Sequence, residues 1–139
     1  MRHAFTIIEL TVTVCILSIL SAIAIPWAGG ILDRVKVRSA AMEIESLFSA
    51  ARHIAIAHAA QTTVEIDPAT QSISVSVESD TVRRQEIGAA HDVQLSASRA
   101  RMSYSATGMG YGAANLSVVV RRNAAVDTVF VSRLGRVRR

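Results

Sequence analysis

The sequence predicts an α+β protein: one long N-terminal helix, membrane-type in its first half and amphipathic in its second, packed on a small antiparallel β-sheet domain. Three observations predict it. No formal charge lies between Leu10 and Ile25. Apolar residues then recur at helical spacing from Ile44 to Ala55. Past Ala59 the period changes to two, most cleanly across Gln71-Ser72-Ile73-Ser74-Val75-Ser76-Val77.

The first element is apolar from Phe5 to Leu32, with Glu9 as its single charge before Asp33. That is longer than the roughly 18 residues a spanning helix needs. A carboxylate beside such a run is costly in lipid and marks a functional site in search of a partner. Pro26 removes a backbone donor and crowds the preceding turn, so a kink or local break is expected there. Gly29-Gly30 weakens the same stretch. Beyond it Ile44, Leu47, Phe48, Ala51, Ile54, Ala55 and His58 fall at i, i+3, i+4, i+7 intervals, with Glu43, Glu45 and Arg52 left for the other faces. Counted to His58, this is one helix of roughly 80 Å with a soft joint.

Strands are predicted over Thr62–Ile66 and Gln71–Val77, joined by the turn chemistry of Asp67-Pro68-Ala69-Thr70. Further strands are expected at Val93–Ala97, Met102–Ser105, Leu116–Arg121 and Thr128–Ser132. Glu78–Asp92 and Gly108–Asn115 read as loops. Such a β domain, about 80 residues, is near the lower limit for a self-sufficient core. The amphipathic half of the helix is expected to supply the missing apolar face.

Composition narrows the function. Half of the 139 residues are hydrophobic and the mean hydropathy is +0.34, much of it from the N-terminal run. The single cysteine, Cys15, lies inside that run and can form no internal disulfide. Net charge is +4, and Lys36 is the only lysine. From Arg121 to the end, Arg121, Arg122, Arg133, Arg136, Arg138 and Arg139 face Asp127 alone. Arginine forks suit phosphate and carboxylate recognition. A secretory signal peptide is a competing reading, with Ser21-Ala22-Ile23-Ala24 as a cut site. Glu9 in the apolar region argues against it.

The stretch Ala4-Phe5-Thr6-Ile7-Ile8-Glu9-Leu10, followed by the apolar helix and Ile25-Pro26, resembles the N-terminus of type IV pilin-like proteins. The resemblance implies cleavage by a prepilin peptidase between Ala4 and Phe5, N-methylation of Phe5, and Glu9 as the assembly carboxylate. Pro26 matches the helix-kinking proline of that family. Where the family prefers Gly before the cut, this chain has Ala4. The division implied is 1–4 leader, 5–32 transmembrane and assembly helix, 33–60 amphipathic helix and 61–139 β domain. The C-terminal part is similar to the GspH/FimT group of minor pseudopilins and pilins. That likeness rests on Met102-Ser103-Tyr104-Ser105-Ala106-Thr107-Gly108, a Gly-rich stretch, Leu116–Val120, Val129-Phe130-Val131-Ser132 and Gly135-Arg136-Val137-Arg138.

In a bundle of parallel helices, the Glu9 carboxylate is expected to meet the Phe5 amine of a neighbouring subunit and so fix axial register. Gly135-Arg136-Val137-Arg138 at a strand end puts Arg136 and Arg138 on one face. With Arg139 and Arg133 nearby they suit successive phosphates. In FimT-like pilins a Gly-Arg-x-Arg end is implicated in DNA uptake, and the resemblance extends that to Gly135, Arg136 and Arg138. The plain alternative is a solvated basic terminus or one docked on an acidic neighbour.

The remaining motifs carry little. Gly108-Met109-Gly110-Tyr111-Gly112-Ala113 is followed by a strand pattern and not by the helix that a dinucleotide fingerprint requires. His53 and His58 are five apart and do not share a helix face as a metal pair does; His3 and His91 stand alone. No nucleophile–base motif is visible, and no cofactor is implied. The reading is a non-enzymatic minor pseudopilin or pilin, single-pass in a bacterial inner membrane with its C-terminal domain in the periplasm or on a filament. Its machine is expected to be a type II secretion system or a related pilus. Its partners are other pilins, the prepilin peptidase, the inner membrane and, in the alternative role, DNA.

Overall fold

The structure is a computed structural model that describes residues 6–111 and 115–139. Ala4 and Phe5, and the Gly112-Ala113 part of the Gly-rich stretch, lie outside the described residues. Helix α1 runs Ile7–Ala57. It stays helical through Pro26 and Gly29-Gly30, so the expected local break does not occur. The chain divides between Leu32 and Asp33 into two compact units.

In the first unit apolar side chains stand exposed on every face of the helix, from Ile7 and Leu10 to Ile25 and Trp27. An 18-residue window here has a mean hydropathy of 2.3 with none of it buried. Length and composition suffice to cross a membrane.

The second unit, Asp33–Arg139, is built around the rest of α1. Val37, Ala40, Ala41, Ile44, Leu47, Phe48, Ala51 and Ala55 form its buried stripe at helical spacing. Four of these are alanines, and all eight belong to the one close-packed core. Ile54 is only partly buried, and His58 falls past the helix end and is exposed.

Two antiparallel sheets cover the stripe, where the sequence predicted one. Strands β1 (Thr62–Asp67), β2 (Ser72–Val77) and β3 (Asp80–Gln85) precede the short helix α2 (Ile87–His91). Then come β4 (Gln94–Ala97), β5 (Arg101–Tyr104), β6 (Gly110–Tyr111), β7 (Leu116–Arg122), β8 (Ala125–Val131) and β9 (Val137–Arg138). One sheet has the order β3-β2-β1-β5-β6 and the other β4-β7-β8-β9. Val64, Ile66, Ile73, Val75, Met102 and Tyr104 from the first meet Leu116, Val118, Val120, Val129 and Val131 from the second in a single core with the helix stripe.

The β1–β2 turn forms as its residues dictate. The Asp67 carboxylate accepts hydrogen bonds from Ala69 N–H at 2.9 Å and from the Thr70 hydroxyl at 2.8 Å. Glu78–Asp92 corrects the sequence reading. It holds β3 and α2, not a loop. Strand β3 is an exposed edge with Arg83 and Arg84 along it, so neither of its faces carries an apolar period. Helix α2 is too short to show one. Gly108–Asn115 likewise is not all loop, because Gly110 and Tyr111 pair with Tyr104 and Ser103. β7 and β8 meet in a tight turn at Asn123-Ala124, so β8 begins three residues before the predicted Thr128.

Candidate functional site

Glu9 sits in the first turn of α1 and is exposed. Its backbone N–H donates to Thr6 Oγ1 at 3.3 Å. Thr6-Ile7-Ile8-Glu9 is therefore half of a capping box, with the threonine in the cap position. A carboxylate there also faces the positive end of the helix dipole. This local role was missed by the sequence reading, although Thr-x-x-Glu at a helix start signals it. Among the described residues no basic group pairs with the Glu9 carboxylate. Pro26 lies within the same exposed helix. The cut site and the methylated residue, Ala4 and Phe5, lie outside the described residues.

The C-terminal arginines separate into two groups. Arg122 is structural. Its Nε donates to Asp33 Oδ1 at 2.6 Å and its Nη1 to the Asp92 carbonyl at 2.6 Å, and it also pairs with the Asp92 carboxylate. Asn123 Nδ2 adds a bond to Asp33 at 2.8 Å, and Lys36 reaches Asp92 at 3.4 Å. Asp33 and Arg122 side chains keep only 16% and 19% of their exposure. Hydrogen bonds from Asn123 and then Arg122 hold the Asp33 carboxyl below its ordinary range. This network ties α1, the end of α2 and the β7–β8 turn together. Arg139 pairs with Asp127 at 3.3 Å. It is thus committed within the chain and does not join Arg136 and Arg138 as a free cation.

Arg136 and Arg138 are exposed and form no ion pair among the described residues. Gly135 explains why they stand where they do. It has φ +75° in the β8–β9 turn, which is closed by Gly135 N–H to Ser132 O and Ser132 N–H to Arg136 O, each 2.8 Å. A Cβ at Gly135 would lie 2.7 Å from the Gly108 carbonyl and 3.0 Å from the Tyr104 ring. Only glycine fits that backbone and that space. The turn sends β9 back along β8, with Val131 opposite Val137 and Phe130 opposite Arg138. Val137 is half-buried against the core, which leaves Arg136 and Arg138 outward, as period-two alternation predicts.

Beside β9 is an open groove of about 290 Å³. Arg136, Val137 and Arg138 form one wall, and Glu45, Arg52 and His53 of α1 form the other. Arg52 is held by a hydrogen bond from its Nε to the Gly108 carbonyl at 3.0 Å. The sequence reading did not bring Arg52 and His53 to the tail, because nothing local relates residues more than eighty apart. Behind the groove wall Tyr104 is fully buried, and its hydroxyl has no hydrogen-bond partner among the described residues. Burial pushes its pKa up to about 12. Elsewhere, His91 Nε2 lies 2.6 Å from Oε2 of Glu43, whose Oε1 accepts from Gln85 Nε2 at 2.5 Å. No three His, Cys, Asp or Glu side chains gather to hold a metal among the described residues.

The fold has known counterparts. No family model matches the chain, and no curated protein matches it in sequence. In structure it is similar to the type IV minor pilin FimU of Pseudomonas aeruginosa, with a TM-score of 0.66 at 16% identity. That match covers 78% of this chain and 90% of FimU. It is also similar to the minor pseudopilin EpsH from the Type 2 Secretion System of Vibrio cholerae, with a TM-score of 0.58 at 11% identity. There the match covers 74% of this chain and 94% of EpsH. The chain therefore has the pilin-like α+β fold that FimU and EpsH share, the fold class expected from its sequence.

Proposed function

We propose that this chain is a minor pilin or pseudopilin, a structural subunit without catalytic activity, assembled into a type II secretion pseudopilus or a related type IV pilus-like filament. One observation carries the reading: a fully exposed apolar helix with Glu9 in its first turn leads into a unit that shares its fold with FimU and EpsH. The helix would be held in the bacterial inner membrane, with the β unit in the periplasm. Prepilin peptidase would cut between Ala4 and Phe5, and the Phe5 amine would be methylated. In the filament, apolar helices would pack in parallel and Glu9 would be neutralised by a neighbour's Phe5 amine, because a charge left unpaired there costs several kcal/mol, roughly. Pro26 would bend the helix within the bundle.

Two measurements test this. Mass spectrometry of the protein from membranes should find a methylated N-terminus at Phe5. Glu9→Gln should insert normally yet co-purify with other pilin-like subunits far less than the parent chain does. Normal incorporation of the Gln variant would sink the assembly role. The partners recovered with the parent chain separate the two machines: secretion pseudopilins support one and competence pilins the other.

A second reading, DNA uptake through Gly135, Arg136 and Arg138, is favoured by the free, outward pair of guanidinium groups. Duplex DNA titrated at several salt concentrations tests it. Phosphate contacts predict binding that weakens steeply with salt and is lost in Arg136→Ala/Arg138→Ala.

A further inference from the structure

The groove beside β9 has a feature that neither role uses. Ser132 and Arg136 form a hydrogen-bonded cross-strand pair, since Ser132 N–H donates to Arg136 O. In an antiparallel ladder such pairs alternate with pairs whose N–H and C=O turn outward. Val131 and Val137 are therefore a non-bonded pair, and the N–H and C=O of Val137 point away from β8. β9 is the edge of its sheet. No turn or side-chain hydrogen bond uses those two groups among the described residues. Val137 lines the groove together with Arg52, His53, Arg136 and Arg138, and Glu45 is the only acid among the lining residues.

We propose that this groove docks an extended, acidic polypeptide segment of a partner protein, which adds a strand to β9 and places its carboxylates against Arg136 and Arg138. Strand addition joins backbone N–H and C=O groups to a free edge and takes specificity from alternate side chains. Both requirements are met here. The outward N–H and C=O of Val137 match a peptide backbone, which offers an acceptor and a donor in turn. The guanidinium groups match carboxylates at period-two spacing. A nucleic acid fits less well. Phosphate has no donor for the unpaired Val137 carbonyl, whereas a peptide N–H supplies one. The inference is independent of which filament the chain serves.

The full chain in detergent micelles would be titrated with a fluorescein-labelled octapeptide of alternating Glu and Val, read by fluorescence anisotropy. Three probes accompany it: the Lys/Val counterpart, the acidic peptide N-methylated at its central residues, and a short duplex DNA. The acidic peptide should bind, more weakly as salt rises. N-methylation, which removes the backbone donors without changing charge, should weaken it by about tenfold or more. Arg136→Ala/Arg138→Ala should do the same to the unmodified peptide. Val137→Pro removes the outward N–H and keeps both arginines, and it should match the N-methylation loss. Equal binding of the N-methylated peptide would show a charged surface and no strand site, overturning the proposal. So would duplex DNA displacing the acidic peptide at equal concentration. If Val137→Pro fails to fold, the N-methylated peptide decides alone.

Discussion

Ile16, Leu20, Ile23 and Trp27 in the unit that ends at Leu32 stand exposed, with Trp27 at 77%. Ile44, Leu47 and Phe48 in the unit from Asp33 are sealed at 2% or less. The residue types are alike and both sets lie on α1. What differs is their angular spread. After Asp33 the buried apolar positions form one stripe, with charged residues and the exposed Val35, Met42 and Ile56 outside it, so two sheets can cover it. Before Leu32 the apolar positions surround the helix, and no single sheet could cover them. A helix apolar on all sides requires lipid or other helices. One unit satisfies its apolar surface within the chain, and the other leaves its own exposed.

The largest expected effect tests this contrast directly. Phe48→Ala should cost about 3–5 kcal/mol, from lost burial and the cavity left in a close-packed core. Leu17→Ala, the same class of change before Leu32, should shift the same transition by less than about 0.5 kcal/mol. Urea unfolding of the full chain in detergent, followed by near-UV circular dichroism, measures both. Comparable losses would mean that the first unit also has an internal core, and the contrast would fail.

Gly135→Ala comes next. A non-glycine residue at φ +75° with its Cβ 2.7 Å from a carbonyl oxygen should cost about 2 kcal/mol. Arg136→Ala, at an exposed residue with no ion pair among the described residues, should leave the melting temperature within error. This pair divides the Gly-Arg-x-Arg motif: glycine builds the turn, and the arginines are free to act on a ligand. A stable Gly135→Ala protein would instead assign the glycine to the ligand.

The residues that were legible in the sequence are those that alternate between core and solvent. β1, β2, β4 and β5 lie where the apolar period placed them, and so does the helix stripe from Ile44 to Ala55. β3 was illegible because an edge strand guarded by Arg83 and Arg84 has no buried side. The full extent of β7 and β8 was hidden because Arg122 counted only as one of the tail's basic residues, while its role with Asn123 in the network with Asp33 depends on a contact across most of the chain. For the candidate site, Arg136 and Arg138 were legible as a pair by spacing. Arg52 and His53 were not, and neither was the commitment of Arg139 to Asp127. The free edge of β9 could be seen only once the register with β8 was known.

A smaller effect has the opposite sign. Tyr104 is sealed at the core face of β5, and its cross-strand neighbour Thr62 is sealed too. Neither the Tyr104 hydroxyl nor Thr62 Oγ1 has a hydrogen-bond partner among the described residues. An unsatisfied buried hydroxyl costs about 1–3 kcal/mol, so Tyr104→Phe should stabilise the unit by about 1 kcal/mol. Thermal unfolding measures it. A loss of stability would show that the hydroxyl is bonded after all, with an internal water as the simplest partner.

The smallest expected effect is in acid, and it too is confined to the unit after Leu32. Asp33, Glu43 and Asp92 all have carboxyl pKa values below the ordinary range. At Asp33 the cause is hydrogen bonding from Asn123 and Arg122, and at Asp92 from Arg122 and Lys36. At Glu43 burial pushes the value up, but the bonds from His91 and Gln85 together outweigh it. A carboxyl with a lowered folded pKa contributes stability above its unfolded value and loses it as pH falls through the folded one. With ordinary values of 3.8 and 4.5, the loss from these groups begins near pH 4.5 and deepens below it. Asp33→Asn/Glu43→Gln keeps the side-chain shapes and removes two of the titrations, so its melting temperature should fall less steeply between pH 5 and pH 3, roughly. An acid limb as steep as that of the parent chain would place the acid-sensitive groups elsewhere, and the ion network at the start of this unit would lose its claim to hold it closed.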